Sequence, residues 1–90
     1  MAEERVAVVV GSSSGMGKAT AVAYASAGMR VVLAARSEDK LNALAEEIGD
    51  RASVSPVDVT DPASVNGMVK SVMKAHGRID ILVYATGTNI

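Results

Sequence analysis

Ninety residues bound this chain to one small domain, and a hydrophobic content of 49% gives it material for a core rather than the composition of a disordered tail. A net charge of −1 and an aromatic content of 2%, with no Phe or Trp, leave neither an electrostatic footprint nor a stacking surface for nucleic acid. The absence of cysteine excludes disulfides and thiolate metal sites; the acidic start MAEERV and the lack of a membrane-length apolar run point to a cytoplasmic protein with no membrane partner.

Residues 5–10, RVAVVV, form a continuous β-branched run expected of a strand buried on both faces of a parallel sheet. A loop, GSSSG, follows. From Met16 the spacing turns helical, with Ala19, Val22, Ala23 and Ala27 as the apolar stripe and Gly28 as the stop. Residues 30–35, RVVLAA, read as a second buried strand. Ser37 is placed to cap the next helix, and Glu38 and Asp39 suit the positive end of its dipole. Leu41, Leu44, Ala45 and Ile48 give that helix its stripe, and Gly49 ends it.

Residues 52–58 form the third strand. Pro56 within it cannot donate to a ladder, which predicts a sheet edge. Asp61-Pro62 combines an N-cap acceptor with proline at the first helical position, and Val65, Met68, Val69, Val72 and Met73 form the third helix's stripe up to Gly77. Residues 79–85, IDILVYA, are the fourth strand. The order β-α-β-α-β-α-β with short connections predicts an α/β fold: a Rossmann-like doubly wound parallel sheet, in its first half, as one domain over residues 1–90.

The loop between the first strand and helix has the features of a phosphate cradle. A tight strand-to-helix turn needs the positive φ that Gly11 tolerates. The helix N-terminus presents unpaired N–H groups and a partial positive charge, and a Cβ at Gly15 would block the approach of an anion to them. Gly17 would let the helix pack close to the strand, and Ser12, Ser13 and Ser14 add hydroxyl donors. Lys18 suggests a nucleoside-triphosphatase loop, but the required first glycine is Ser12 here and the required hydroxyl after the lysine is Ala19. Lys18 is therefore read as a solvated helix residue. The second strand ends in Ala34-Ala35-Arg36, with no carboxylate to repel a ribose 2′-phosphate and a permanently charged arginine to receive one.

GSSSGMG resembles the G-x-x-x-G-x-G motif of the short-chain dehydrogenase/reductase family. Ala35-Arg36 after the second strand, Asp58-Val59-Thr60 after the third, and Ile79-Asp80-Ile81-Leu82-Val83 leading to Gly87 match in order, so the resemblance covers nearly the whole chain. It implies hydride transfer between NADP(H), in preference to NAD(H), and a carbonyl or alcohol substrate, in a homo-oligomer. The cofactor-binding residues it implies are Gly11, Ser13, Ser14, Gly15, Met16, Gly17, Arg36, Asp58, Val59, Ala85 and Gly87. Asp58 would meet the adenine amino group, Val59 would line the adenine pocket, and Ala85 and Gly87 would lie along the ribose and nicotinamide. Asp80 is expected to be structural and to position the glycine-rich turn. The chain departs from the family pattern in two places: Val10 stands where Thr is usual, and Tyr84-Ala85-Thr86-Gly87 replaces Asn-Asn-Ala-Gly.

The family's acid–base pair, Tyr-x-x-x-Lys, is missing: Gly28 follows Tyr24 by four positions and Thr88 follows Tyr84. His76 suits a helix C-terminus, and no His, Asp or Glu spacing suggests a metal site. No catalytic residue is assigned. Two readings remain: the NADP(H)-binding front half of a reductase, cut off before its catalytic half, or a free-standing dinucleotide-binding or interaction module without chemistry. The first fits better, because the resemblance implies that only the third helix would cover one sheet face, and the fourth strand would be left as an exposed apolar edge.

Overall fold

The computed structural model describes residues 4–12 and 15–85. Its elements are β1 (Val6–Val10), α1 (Gly15–Ser26), β2 (Arg30–Ala35), α2 (Glu38–Ile48), β3 (Ala52–Pro56), α3 (Pro62–His76) and β4 (Ile81–Tyr84). The strands form one parallel sheet in the order β3-β2-β1-β4. The chain therefore winds outward from β1 to β3, then crosses back to place β4 on the other side of β1. This is a Rossmann-like α/β arrangement, and the reversal between β1 and β4 is its topological switch point.

Strand alternation divides the core between two faces. Val6, Val8, Val10, Val32 and Ala34 pack with Val57, Met68 and Val72 under α3. Val9, Val31, Leu33 and Ala35 pack with Ala21, Leu41 and Leu44 under α1 and α2. β1 and β2 are buried on both sides, which is why their sequences are nearly unbroken apolar runs. β3 and β4 are the edges. β3 carries Pro56 at its end. On β4, Leu82 and Tyr84 pair with Val8 and Val10 and so share the α3 face, yet they are 46% and 54% exposed because no helix among the described residues covers them. Among the described residues, no helix is long and apolar enough to cross a membrane.

Several local expectations are corrected. The buried side of α1 is Gly17 and Ala21, with Tyr24 and Ala25 packed against the same cluster; Ala19, Val22, Ala23 and Ala27 face outward. An alanine-rich helix has little contrast between its faces, so its rotation is set by contact with the turn at Gly17. Met73 is likewise exposed. Ser37 has extended N-cap geometry but makes no side-chain cap bond, whereas the Asp61 carboxylate accepts from Ala63 N at 3.0 Å as expected. β3 stops at Pro56 because Asp58 turns away: its N–H donates to Ser64 Oγ (2.9 Å) and its carboxylate accepts from Thr60.

Asp80 is structural, but at the other end of the sheet from the glycine-rich turn. Its carboxylate accepts from Val6 N at 2.8 Å and from Arg78 at 2.7 and 2.9 Å, fixing the start of β1 to the approach of β4.

Candidate active site

The C-terminal ends of all four strands meet at one edge, where open α/β sheets bind ligands. Gly11 leaves β1 with φ +89° and donates its N–H to Ala34 O at 2.7 Å, tying the turn to β2. Ser12 N approaches the same carbonyl at 3.3 Å. A Cβ on Gly17 would overlap the Gly11 carbonyl and lie 2.9 Å from Ser12 Cα, so only glycine permits α1 to start this close to the turn. Gly15 differs: a Cβ there would meet no protein atom within 4 Å. The packing of the described residues gives no reason for glycine at 15, and the space lies beside a helix N-terminus whose first N–H groups lack helical partners. Met16 is 77% exposed next to it. Ser12 is wholly buried, and its Oγ has no hydrogen-bond partner among the described residues. An open cradle and an orphaned hydroxyl in one turn suit a phosphate-bearing ligand.

Arg36 and Asp58 stand at the ends of β2 and β3. With Pro56, Val57 and Ser64 they line an open recess of about 280 Å³. Hydrogen bonds from the Thr60 hydroxyl (2.6 Å) and the Thr60 N–H (3.0 Å) hold the Asp58 carboxyl below the ordinary carboxylate range, and the positive charge of Arg36 acts in the same direction. Asp58 is therefore an ionised, oriented acceptor at neutral pH. Val59 is exposed beside it, and Ala85 is buried, with its N–H donating to Val10 O at 2.8 Å. The structure thus brings Gly11, Gly15, Met16, Gly17, Arg36, Asp58, Val59 and Ala85 to the same edge; Ser13, Ser14 and Gly87 lie outside the described residues. Lys18 is solvated and 3.7 Å from Glu47 of α2. Sequence reasoning missed Thr60 and Ser64 as the groups that orient Asp58. The D-x-T spacing was the available signal, because an Asp side chain can hydrogen-bond the backbone two residues on.

The family model for short chain dehydrogenases matches residues 5–90. The chain is 45% identical over 84 residues to an uncharacterized oxidoreductase of Staphylococcus haemolyticus, covering 92% of this chain and 36% of the relative. A metagenomic short-chain oxidoreductase crystallised with NADP superposes with a TM-score of 0.84 at 40% identity, over 89% of this chain and 38% of that one. The 3-ketoacyl-(acyl-carrier-protein) reductase of Brucella melitensis, complexed with NADH, gives a TM-score of 0.84 at 34% identity, over 89% and 33%. This chain spans about a third of these proteins' lengths. Fold, ordered motifs and family match agree, and the chain belongs to the short-chain dehydrogenase/reductase family.

Proposed function

We propose that this chain is the NADP(H)-binding part of an oxidoreductase that moves a hydride between NADP(H) and a carbonyl or alcohol. The observation that carries the cofactor choice is Arg36, exposed at the C-terminal end of β2, preceded by Ala34 and Ala35 where a carboxylate would repel a phosphate. Its guanidinium is a permanent cation with a planar donor fork suited to a phosphate monoester. A structural relative was solved with NADP and another with NADH, so the family admits either cofactor and the residue at 36 has to decide.

In this reading the turn after β1 and the start of α1 hold the pyrophosphate. Gly15 leaves room for it, the first-turn N–H groups of α1 donate to it, and the helix dipole favours its charge. Asp58 accepts from the adenine amino group, and the exposed Val59 packs against the ring. Ser13, Ser14 and Gly87 are assigned to the same site by family resemblance. The bound nicotinamide supplies the hydride chemistry. These residues bind and orient it; they do not handle the substrate's proton, since no Tyr-x-x-x-Lys occurs in the 90 residues. Turnover is assigned to a longer protein of the length its relatives have.

The test is the pair of dissociation constants for NADPH and NADH, measured on the wild type and Arg36→Asp. The substitution should weaken NADPH at least tenfold, the loss of about 1.4 kcal/mol or more expected for a charge-assisted phosphate contact. It should leave NADH unchanged or tighter. An unchanged ratio would show that Arg36 does not read the cofactor.

A further inference from the structure

We infer that Thr60 is the positioning residue through which this chain discriminates between bases in its dinucleotide: it commits one oxygen of the Asp58 carboxylate and leaves the other to accept from an exocyclic amine and to reject a ring that carries a carbonyl in its place. The inference rests on the cofactor reading proposed above and deepens it, extending that reading to a residue that does not itself touch the ligand.

The polar atoms of Asp58 can be followed one by one. Its N–H donates to Ser64 Oγ at 2.9 Å, and its carbonyl accepts from Asp61 N at 3.1 Å. Its Oδ1 accepts twice from Thr60, from the N–H at 3.0 Å and from the hydroxyl at 2.6 Å. Its Oδ2 has no hydrogen bond or ion pair among the described residues. An unrestrained aspartate exchanges its two oxygens by turning about one bond. Here that turn would break two hydrogen bonds to a charged group. The frame is also anchored outside the loop. Asp61 caps α3 through Ala63 N, and Ser64 lies in the first turn of that helix. The orientation of Oδ2 is therefore set by α3 and by Thr60 together.

The free oxygen belongs to a residue that lines the open recess of about 280 Å³ with Arg36, Pro56, Val57 and Ser64. Val59, exposed, lies between Asp58 and Thr60 in the chain. An ionised carboxylate accepts hydrogen bonds and cannot donate them. Adenine offers an amine where hypoxanthine offers a carbonyl oxygen. The first satisfies Oδ2; the second sets two acceptors against each other. A carboxylate held in place turns that difference into selectivity, whereas one free to swing aside would let water satisfy both rings. Thr60 thus governs the ratio of affinities for the two bases rather than the affinity for either.

The experiment measures dissociation constants for NADPH and for the reduced hypoxanthine analogue of NADPH on the wild type, Thr60→Val, Thr60→Ala, Thr60→Ser and Asp58→Asn, with circular dichroism confirming folding. Thr60 is exposed, and every variant keeps the N–H at position 60. The wild type should prefer the adenine form about tenfold, the scale of one hydrogen bond to a charged group. Thr60→Val and Thr60→Ala should cut that preference to about threefold or less, and Thr60→Ser, which restores the hydroxyl, should recover it. Asp58→Asn should erase it, because a carboxamide can present either an acceptor or a donor. If the Thr60 variants weaken both dinucleotides equally, Thr60 only shapes the turn and the inference is wrong. If they leave the preference intact while Asp58→Asn erases it, Asp58 reads the base without Thr60; the inference falls and the cofactor reading stands. A wild type that binds both bases equally but favours NADPH over NADH has the same meaning. A wild type that binds no dinucleotide overturns both.

Discussion

At the N-terminal end of the sheet, charged side chains are committed to one another and to the backbone. Glu4 bonds Arg30 at 2.8 Å and Arg51 at 3.1 Å, Arg51 also reaches Gly28 O, and Asp80 holds both Val6 N and Arg78. At the C-terminal end, groups of the same kinds are left without such partners. Arg36 and Lys40 form no ion pair among the described residues, the Ser12 hydroxyl is buried without a partner, and Gly15 faces open space. Both ends belong to one small fold with the same strands. That difference is what supports the proposal that the binding surface lies at the C-terminal end.

Two glycines two residues apart, Gly15 and Gly17, offer the strongest way to break this comparison. Gly17→Ala puts a methyl group into the Gly11 carbonyl and against Ser12 Cα, both backbone, so the turn must move. The expected loss is about 3 kcal/mol of unfolding free energy, the upper range for overpacking, read from a urea melt. Gly15→Ala meets no protein atom. It should leave stability unchanged or raise it by up to ~1 kcal/mol, the usual gain when Ala replaces Gly in a compatible helical conformation. It should nevertheless weaken dinucleotide binding sharply. If Gly15→Ala binds as well as the wild type, the open space at α1 is not a ligand cradle.

Asp80 supplies the converse case. Asp80→Ala removes the carboxylate that accepts from the Val6 N–H and from Arg78. It should lower the melting temperature while leaving the ratio of NADPH to NADH affinity untouched, since the residue sits at the opposite end from Arg36. A changed ratio would mean that the two ends are coupled through β1.

Much of this was legible in the sequence. Strands buried on both faces announce themselves as β-branched runs, Pro56 marked β3 as an edge, and the Asp61-Pro62 start of α3 fell where it was read. The rotation of α1 was not legible, because its alanines form a stripe on more than one face and the deciding contact, Gly17 against Gly11, is tertiary. The place of Asp80 was missed for a related reason. Its partner Val6 is 74 residues away, and only strand register brings them together. The positive φ of Gly11 was readable from residue type. The burial of the Ser12 hydroxyl without a partner depends on how α1 packs on the turn, which no spacing rule contains.

Acid provides the finest comparison between the two ends. Hydrogen bonds and the charge of Arg30 and then Arg51 hold the Glu4 carboxyl down; Arg78 and the Val6 N–H do so for Asp80, and Thr60 for Asp58. A carboxyl whose pKa is lower in the folded state binds its proton first in the unfolded chain. Its contribution is therefore complete above the unfolded value, about 4, and is lost as pH falls through the folded value. Stability should be level from neutral pH to about 5 and decline below about 4. Amide exchange can then separate the ends, because Val6 N–H depends on Asp80 and Thr60 N–H on Asp58. Thr60 lies in an exposed turn and should lose protection first; Val6 is buried beside β2 and should keep it until the sheet itself opens. Loss of Val6 protection before Thr60 would mean that the N-terminal end, for all its satisfied charges, is the weaker of the two.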